Sequence, residues 1–307
     1  MYKKKKYNII FVTVLMIISI FVGYSAVLIN NGSADDSNTD SSEVFVPPDL
    51  VPQPDDDIQD EVQNSAPVFS NGFQAISYAL NILDNGEGYS SYLHQTVTAT
   101  AMMISVEQNI KIKKYRGGGL DLTEEWYYSD ASLGENNFKI YYSDGQNLII
   151  RQGEKGSYNK ADLTYSAEKT NVIEEYSTDY YQNTMGRNKL NNFFQTVNSS
   201  TSRIIYFDKS DKQNYKIKVS VNPDDVDKNY IKSFEANGAK VNKFYNMYLT
   251  FTINKKTGYL VSVQKEEKIN TNYSGITADA SIIATEFYYN MNKGVESTIK
   301  EKIAKLN

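Results

Sequence analysis

Hydrophobic and polar positions alternate with a period of two along much of the chain, and the longest such stretch runs from Asn246 to Asn290. Met247, Leu249, Phe251 and Ile253 alternate with Tyr248, Thr250, Thr252 and Asn254, the pattern of a strand with one buried face. The connector Lys255-Lys256-Thr257-Gly258 supplies a glycine for a positive-φ turn position. Tyr259, Val261 and Val263 then alternate with Leu260, Ser262 and Gln264, and run into Lys265-Glu266-Glu267-Lys268. That charged end predicts a strand edge or a solvent face. After a polar connector at Asn270 to Gly275, Ile276, Ala278, Ala280, Ile282 and Ala284 share one face of a third strand. Phe287 and Tyr289 fall on the opposite parity, which predicts a bulge near Ala284 to Glu286. The row of alanines is unusual for a core normally filled by larger side chains. Either a helix lies tightly on that face or a space is left open there.

The same reading organises the rest of the body. A helix starts at Ser70 or Asn71, buries Phe73, Ile76, Leu80 and Leu83, and closes at Gly86. Strands follow at Tyr89 to Met103, with Leu93, Val97, Ala99, Ala101 and Met103 on one face, and at Val106 to Tyr115, with Ile110 and Ile112 inward. Gly117-Gly118-Gly119 precedes a third, Leu120 to Tyr128; Phe138 to Tyr142 and Leu148 to Ile150 are joined through Asp144-Gly145. The fourfold spacing of Val172, Tyr176 and Tyr180, and nearly so of Leu190, Phe194 and Val197, predicts helix in the middle of the chain. Strands return at Ile204 to Phe207 and Tyr215 to Val221. Asn222-Pro223 then starts a helix with Val226, Tyr230 and Phe234 on one face. Val295, Ile299, Ile303 and Leu306 end the chain as an amphipathic helix. The expected class is α+β, with about ten strands in one large antiparallel sheet and helices packed on one face.

Ahead of this body, residues 1–7 form a basic tip and residues 8–29 carry no charge across 22 positions, enough to span a bilayer core of ~30 Å. Lys3 to Lys6 hold the tip on the cytoplasmic side and send the rest outward. A cleaved signal peptide, with Gly32-Ser33-Ala34 as the cleavage site, is the competing reading; the apolar run exceeds the ~7–15 residues usual for such signals. Both readings give an extracytoplasmic domain. Residues 30–69 hold ten acids, no Lys or Arg, and five of the six prolines, the composition of an extended spacer that cannot offset its ordering entropy. The remaining domain, residues 70–307, is nearly neutral although the whole chain carries −5. That balance gives no support to a nucleic-acid partner, which needs a clustered basic surface.

No cysteine is present, so disulfides, thiol catalysis, zinc–thiolate sites and a lipidated cysteine anchor are excluded. A single histidine, His94, makes neither a zinc site nor a triad; it lies on the polar parity of its strand, where an exposed or edge side chain is expected. Ser157-Tyr158-Asn159-Lys160, Ser166-Ala167-Glu168-Lys169 and Ser297-Thr298-Ile299-Lys300 match S-x-x-K, and Lys256-Thr257-Gly258 matches K-T-G. The middle motif of a serine acyl enzyme is missing between them, and the K-T-G reads better as a hairpin connector. Glu124 and Glu125 are strand neighbours and point to opposite faces, so they form no shared acid/base pair. Arg116-Gly117-Gly118-Gly119 lacks the Lys-Ser/Thr and helix start of a phosphate loop. No catalytic residue, metal site or cofactor is expected, although a glycan-active enzyme drawing carboxylates from distant strands stays open.

The element order resembles one family. A leading amphipathic helix, long antiparallel strands, a central helical insertion and a final meander carrying Ile253-Asn254-Lys255-Lys256-Thr257-Gly258-Tyr259-Leu260 look like the bacterial half-barrel of lipoprotein carriers (LolA and LppX type) over about residues 70–290. The resemblance implies a curved sheet partly closed by helices, with a cleft that holds acyl chains or other amphiphiles, and no catalytic residues. The chain departs from it in lacking an anchoring cysteine and in carrying tyrosines where a greasy cleft wants aliphatic side chains.

Two functions follow. One is a membrane-tethered binding protein whose ligand lies on the face of Ala99, Ala101, Met103, Met247, Leu249, Phe251, Ala278, Ala280, Ile282 and Ala284, where small or pliable residues leave room. The other is a surface structural or interaction protein that meets a protein or wall polymer through outer tyrosines such as Tyr127 and Tyr248.

Overall fold

A computed structural model describes residues 66–101, 104–129, 137–143, 147–153, 156–159, 164–167, 170–177, 197–226, 231, 239–273 and 275–306. Eleven strands make one antiparallel sheet, and its order shows how the chain is built. The first strand, β1 (Gly88–Ala101), pairs with the last, β13 (Ile276–Tyr289), at the middle of the sheet. One wing runs outward from β1 through β2 (Ile104–Gly117), β3 (Leu120–Ser129), β4 (Asn137–Ser143) and β5 (Asn147–Gly153) to β8 (Thr170–Ser177). The other runs from β13 through β12 (Leu260–Tyr273), β11 (Ala239–Asn254) and β10 (Asn214–Val221) to β9 (Ser202–Asp208). The outermost strands, β8 and β9, are not paired to each other, so the sheet is open. A separate hairpin, β6 (Gly156–Asn159) with β7 (Thr164–Ala167), interrupts the first wing.

Two α-helices are described, and they lie on opposite faces. Helix α1 (Gly72–Asn85) starts where Asn71 Oδ1 accepts from the backbone N–H of Phe73 at 2.7 Å and of Gln74 at 3.3 Å. It lies against β1, β9, β11 and β12, with Ala75, Ile76, Ala79, Leu80 and Leu83 buried. Just before it, Phe69 packs on Tyr78 and Tyr215, and Ala66 donates to the Lys256 carbonyl at 2.9 Å. Helix α2 (Glu296–Ala304) packs Val295 and Ile299 on Leu122, Trp126, Ile140 and Tyr142. On β3 those residues alternate with Thr123 and Glu125, which belong to the α1 side. The expectation that all helices share one face is therefore corrected.

Other expectations shift as well. The helix read at Val172 to Tyr180 is strand β8 as far as Ser177; its Thr-Asn-Val-Ile start favours an extended chain, and β5 supplies the ladder. Leu190, Phe194, Tyr230 and Phe234 lie outside the described residues, as do residues 1–65 with the proposed anchor and most of the spacer; residues 66–69, read as its end, belong to the folded body, where Phe69 is buried. No helix among the described residues is long and apolar enough to cross a membrane. Asn222 caps the chain as expected, where Pro223–Asp225 is a 3-10 turn; Ile231 further along is helical, and residues 227–230 and 232–238 lie outside the described residues. The bulge expected near Ala284 to Glu286 is absent: β13 keeps register with both β1 and β12 throughout that stretch. Register shifts occur instead in β11, at Val241/Lys243, Phe244/Asn246 and Thr252/Ile253.

Candidate binding face

The α1 side of the sheet is built from one parity of each strand, which changes in β11 at the register shift between Phe244 and Asn246. Cross-strand partners give its rows directly. One row is Leu249, Lys265, Ala284, Gln95 and Ile110 across β11, β12, β13, β1 and β2. The next is Met247, Glu267, Ile282, Val97 and Gln108, and the next Phe244, Ile269, Ala280, Ala99 and Val106. Beyond these, Thr271 faces Ala278, and Ala101 faces Ile104. Nine of the ten residues proposed from sequence thus share one buried cluster: Ala99, Ala101, Met247, Leu249, Phe251, Ala278, Ala280, Ile282 and Ala284. Each is no more than 3% exposed. Met103 lies outside the described residues. The same cluster contains the buried residues of α1, so the helix covers part of this face.

Sequence reasoning missed the polar content of the face. The charged run at Lys265 to Lys268 is not a strand end, because β12 continues to Tyr273 and alternate residues of the run point inward. Lys265 Nζ lies 3.1 Å from Glu267 Oε2, with side-chain exposures of 2% and 0%. Burial pushes the Lys265 ammonium down to about 7, and the Glu267 carboxylate opposes that shift without cancelling it. Towards the C-terminal end of α1, Glu286 accepts from the Ser91 hydroxyl at 2.6 Å and pairs with Lys114 at 3.3 Å. Burial lowers the Lys114 ammonium, again against its carboxylate partner. These contacts explain why β13 needs no bulge. Glu286 holds the inward position that Phe287 and Tyr289 were expected to require, and Tyr288 beside it is also buried.

Two further polar groups border the alanines. Gln108 on β2 is 6% exposed, and its Oε1 has no hydrogen-bond partner among the described residues. Thr271 on β12 is fully buried, and its Oγ1 is likewise without a partner among them. A buried acceptor left unmade costs the protein its desolvation. The strand signal that could have located both is the interruption of an apolar parity by one polar residue, between Val106 and Ile110 and after Ile269.

The remaining sequence candidates are dispersed. His94 is not an exposed edge residue: β1 is central, the ring is half-buried on the α2 side, and its Nε2 is without a partner among the described residues. Burial, and then the nearby Lys111, lower its basicity. Glu124 and Glu125 do point to opposite faces, with Glu124 bonded to Lys302 on α2 at 3.1 Å and Glu125 fully buried. Ser157 and Ser166 are register partners in the β6–β7 hairpin, and Ser297 is an exposed residue of α2. Lys256-Thr257-Gly258 forms the β11–β12 turn, held by the Asn254 side chain accepting from the backbone N–H of Lys256 and Thr257. No group of His, Asp and Glu among the described residues could hold a metal ion.

No family model matches the chain, and no curated protein matches it. Solved structures are similar to it only distantly. A putative outer membrane lipoprotein-sorting protein domain from Vibrio parahaemolyticus is 12% identical, with 76% of this chain and 100% of that one covered and a TM-score of 0.27. A DUF1329 family protein from Desulfovibrio piger is 9% identical, covering 71% and 90% with a TM-score of 0.24. A beta-barrel-like DUF1849 protein from Brucella abortus is 8% identical, covering 66% and 98% with a TM-score of 0.24. At such identities and TM-scores these likenesses carry no statement about a ligand or a function of this chain. The fold itself is an open antiparallel sheet entered through a helix.

Proposed function

We propose that the chain is a membrane-tethered, extracytoplasmic binding protein that holds a lipid-like or amphiphilic ligand on the α1 face of its sheet and performs no chemistry on it. One observation carries the reading: alanines of β1 and β13 run between two buried side chains, Gln108 and Thr271, whose oxygens have no hydrogen-bond partner among the described residues. Small side chains spare room for an acyl chain, and unmade hydrogen bonds suit a polar head. The tether is residues 8–29, with residues 30–65 as the spacer, since Ala66 and Phe69 already belong to the folded body. Native mass spectrometry of the full chain, released from mild detergent before and after incubation with oleate, monoolein or phosphatidylglycerol, tests this. One bound amphiphile per chain is expected. No adduct under any of these conditions would overturn the reading.

A specific observation favours the second reading, a surface interaction protein. The edge strand β9 carries a register shift opposite Lys218/Val219 and exposes Ile205 at 45% and Tyr206 at 42%, while Tyr245 on β11 is 46% exposed. A protein or wall-polymer partner held there would be released by Tyr206→Ser with Tyr245→Ser, changes that leave the α1 face untouched.

A further inference from the structure

The geometry points to a specific head group: we infer that the α1 face selects an amphiphile with a neutral, hydrogen-donating head, a hydroxyl or amide N–H, over one with a bare carboxylate. This rests on the binding reading above and goes further by naming the ligand's chemistry.

The sign of the unmade bonds is the first argument. Gln108 Oε1 can only accept, whereas the Thr271 hydroxyl can accept or donate, so the sign is set at Gln108. Both stand in the parity that carries the alanines, Gln108 opposite Val97 on β1 and Thr271 opposite Ala278 on β13. A donor arriving with the ligand would complete an acceptor that has no partner among the described residues. A carboxylate has no donor to give.

Charge is the second. Glu125, Glu267 and Glu286 project onto this face and are each at most 2% exposed. The lysines paired with these carboxylates on this face are engaged, Lys265 with Glu267 at 3.1 Å and Lys114 with Glu286 at 3.3 Å. An anionic head would therefore enter a site already holding three buried carboxylates and would have to break an existing pair to gain a counter-ion. A neutral head pays neither cost. The regained hydrogen bond corresponds to a preference of roughly tenfold.

Three ligands with one acyl chain separate these terms: monoolein, methyl oleate and oleate, each displacing a fluorescent acyl probe from the full chain in the same mild detergent. Monoolein is expected to bind about tenfold more tightly than methyl oleate, which lacks the donor, and more tightly than oleate, which adds the charge. Gln108→Leu is expected to erase the gap between monoolein and methyl oleate. Thr271→Val, of nearly the same shape, checks the second acceptor in a chain whose packing is preserved. Equal binding of the three, tightest binding of oleate, or a gap that survives both substitutions would overturn the inference and leave the binding reading in place. Failure of all three to bind would overturn that reading itself.

Discussion

Lys265 and Glu267 stand two residues apart on β12 and meet on its buried face, Nζ 3.1 Å from Oε2 and almost wholly without solvent. An ion pair in such a place costs desolvation that its own attraction barely repays. Lys265→Met alone leaves a buried carboxylate without its partner and should lower stability by about 3–5 kcal/mol. Lys265→Met with Glu267→Met should be neutral or stabilising by about 1–4 kcal/mol. Urea unfolding of the single and double variants measures both. A double variant as damaged as the single one would show that the pair is held by more than its own members.

The same lysine sets an alkaline dependence. Its folded value, about 7, lies below the ordinary 10.5, so between these the unfolded chain binds the proton and the folded chain does not. Stability from this group therefore rises as pH climbs from about 7 towards 10.5, and it is lowest below 7, where both states carry the charge. The denaturation midpoint followed from pH 6.5 to 9.5 should climb in the wild type and flatten in the double methionine variant.

His94 governs the acid side near neutrality. The chain has one histidine, so its ring protons give one assignable signal. Burial in β1 and the charge of Lys111 depress it below 6.5, which keeps the folded ring neutral while the unfolded ring takes a proton. Stability is thus present above 6.5 and is lost as pH falls through the folded value. An NMR titration should find the midpoint under 6.5, and His94→Gln should reduce the stability lost just below that pH.

The Lys-Thr-Gly corner gives a prediction that separates a turn from a catalytic signature. Gly258 has φ +73°, and a Cβ there would sit 2.3 Å from the Tyr78 ring on α1. Gly258→Ala should cost at least the ~1–2 kcal/mol of a left-handed residue and should loosen α1 from the β11–β12 turn. Lys256 is exposed, and Lys256→Ala should change stability by no more than about 0.5 kcal/mol and leave ligand binding intact. Thermal melts of the two variants decide the point.

Much of this architecture was legible in alternation alone. Met247 to Ile253, Val97 to Ala101 and Ile276 to Ala284 declare their buried faces because each inward position is apolar. The Asn71 and Asn222 caps and the α2 stripe were equally readable, since capping and amphipathic spacing are local. What failed was every place where a polar side chain occupies an inward position. Lys265, Glu267 and Glu286 read as solvent or as a bulge because their partners come from the same parity two residues away or from two other strands. Ser91 and Lys114 are 195 and 172 residues distant from Glu286 in sequence, and no local pattern reports such a contact. Strand β8 failed for a different reason: Val172 and Tyr176 fit a fourfold spacing, and only pairing with β5 decides between the two periods.

Photo-crosslinking bears most directly on the central claim. A monoacylglycerol carrying a diazirine in its acyl chain, irradiated with the full chain and mapped by peptide mass spectrometry, reports where the ligand lies. Labelling concentrated at residues 97–101 and 278–284 of β1 and β13, and competed away by unlabelled monoolein, is the predicted result. Labelling confined to the α2 face or to the β9 edge, or labelling that unlabelled monoolein does not reduce, would contradict it.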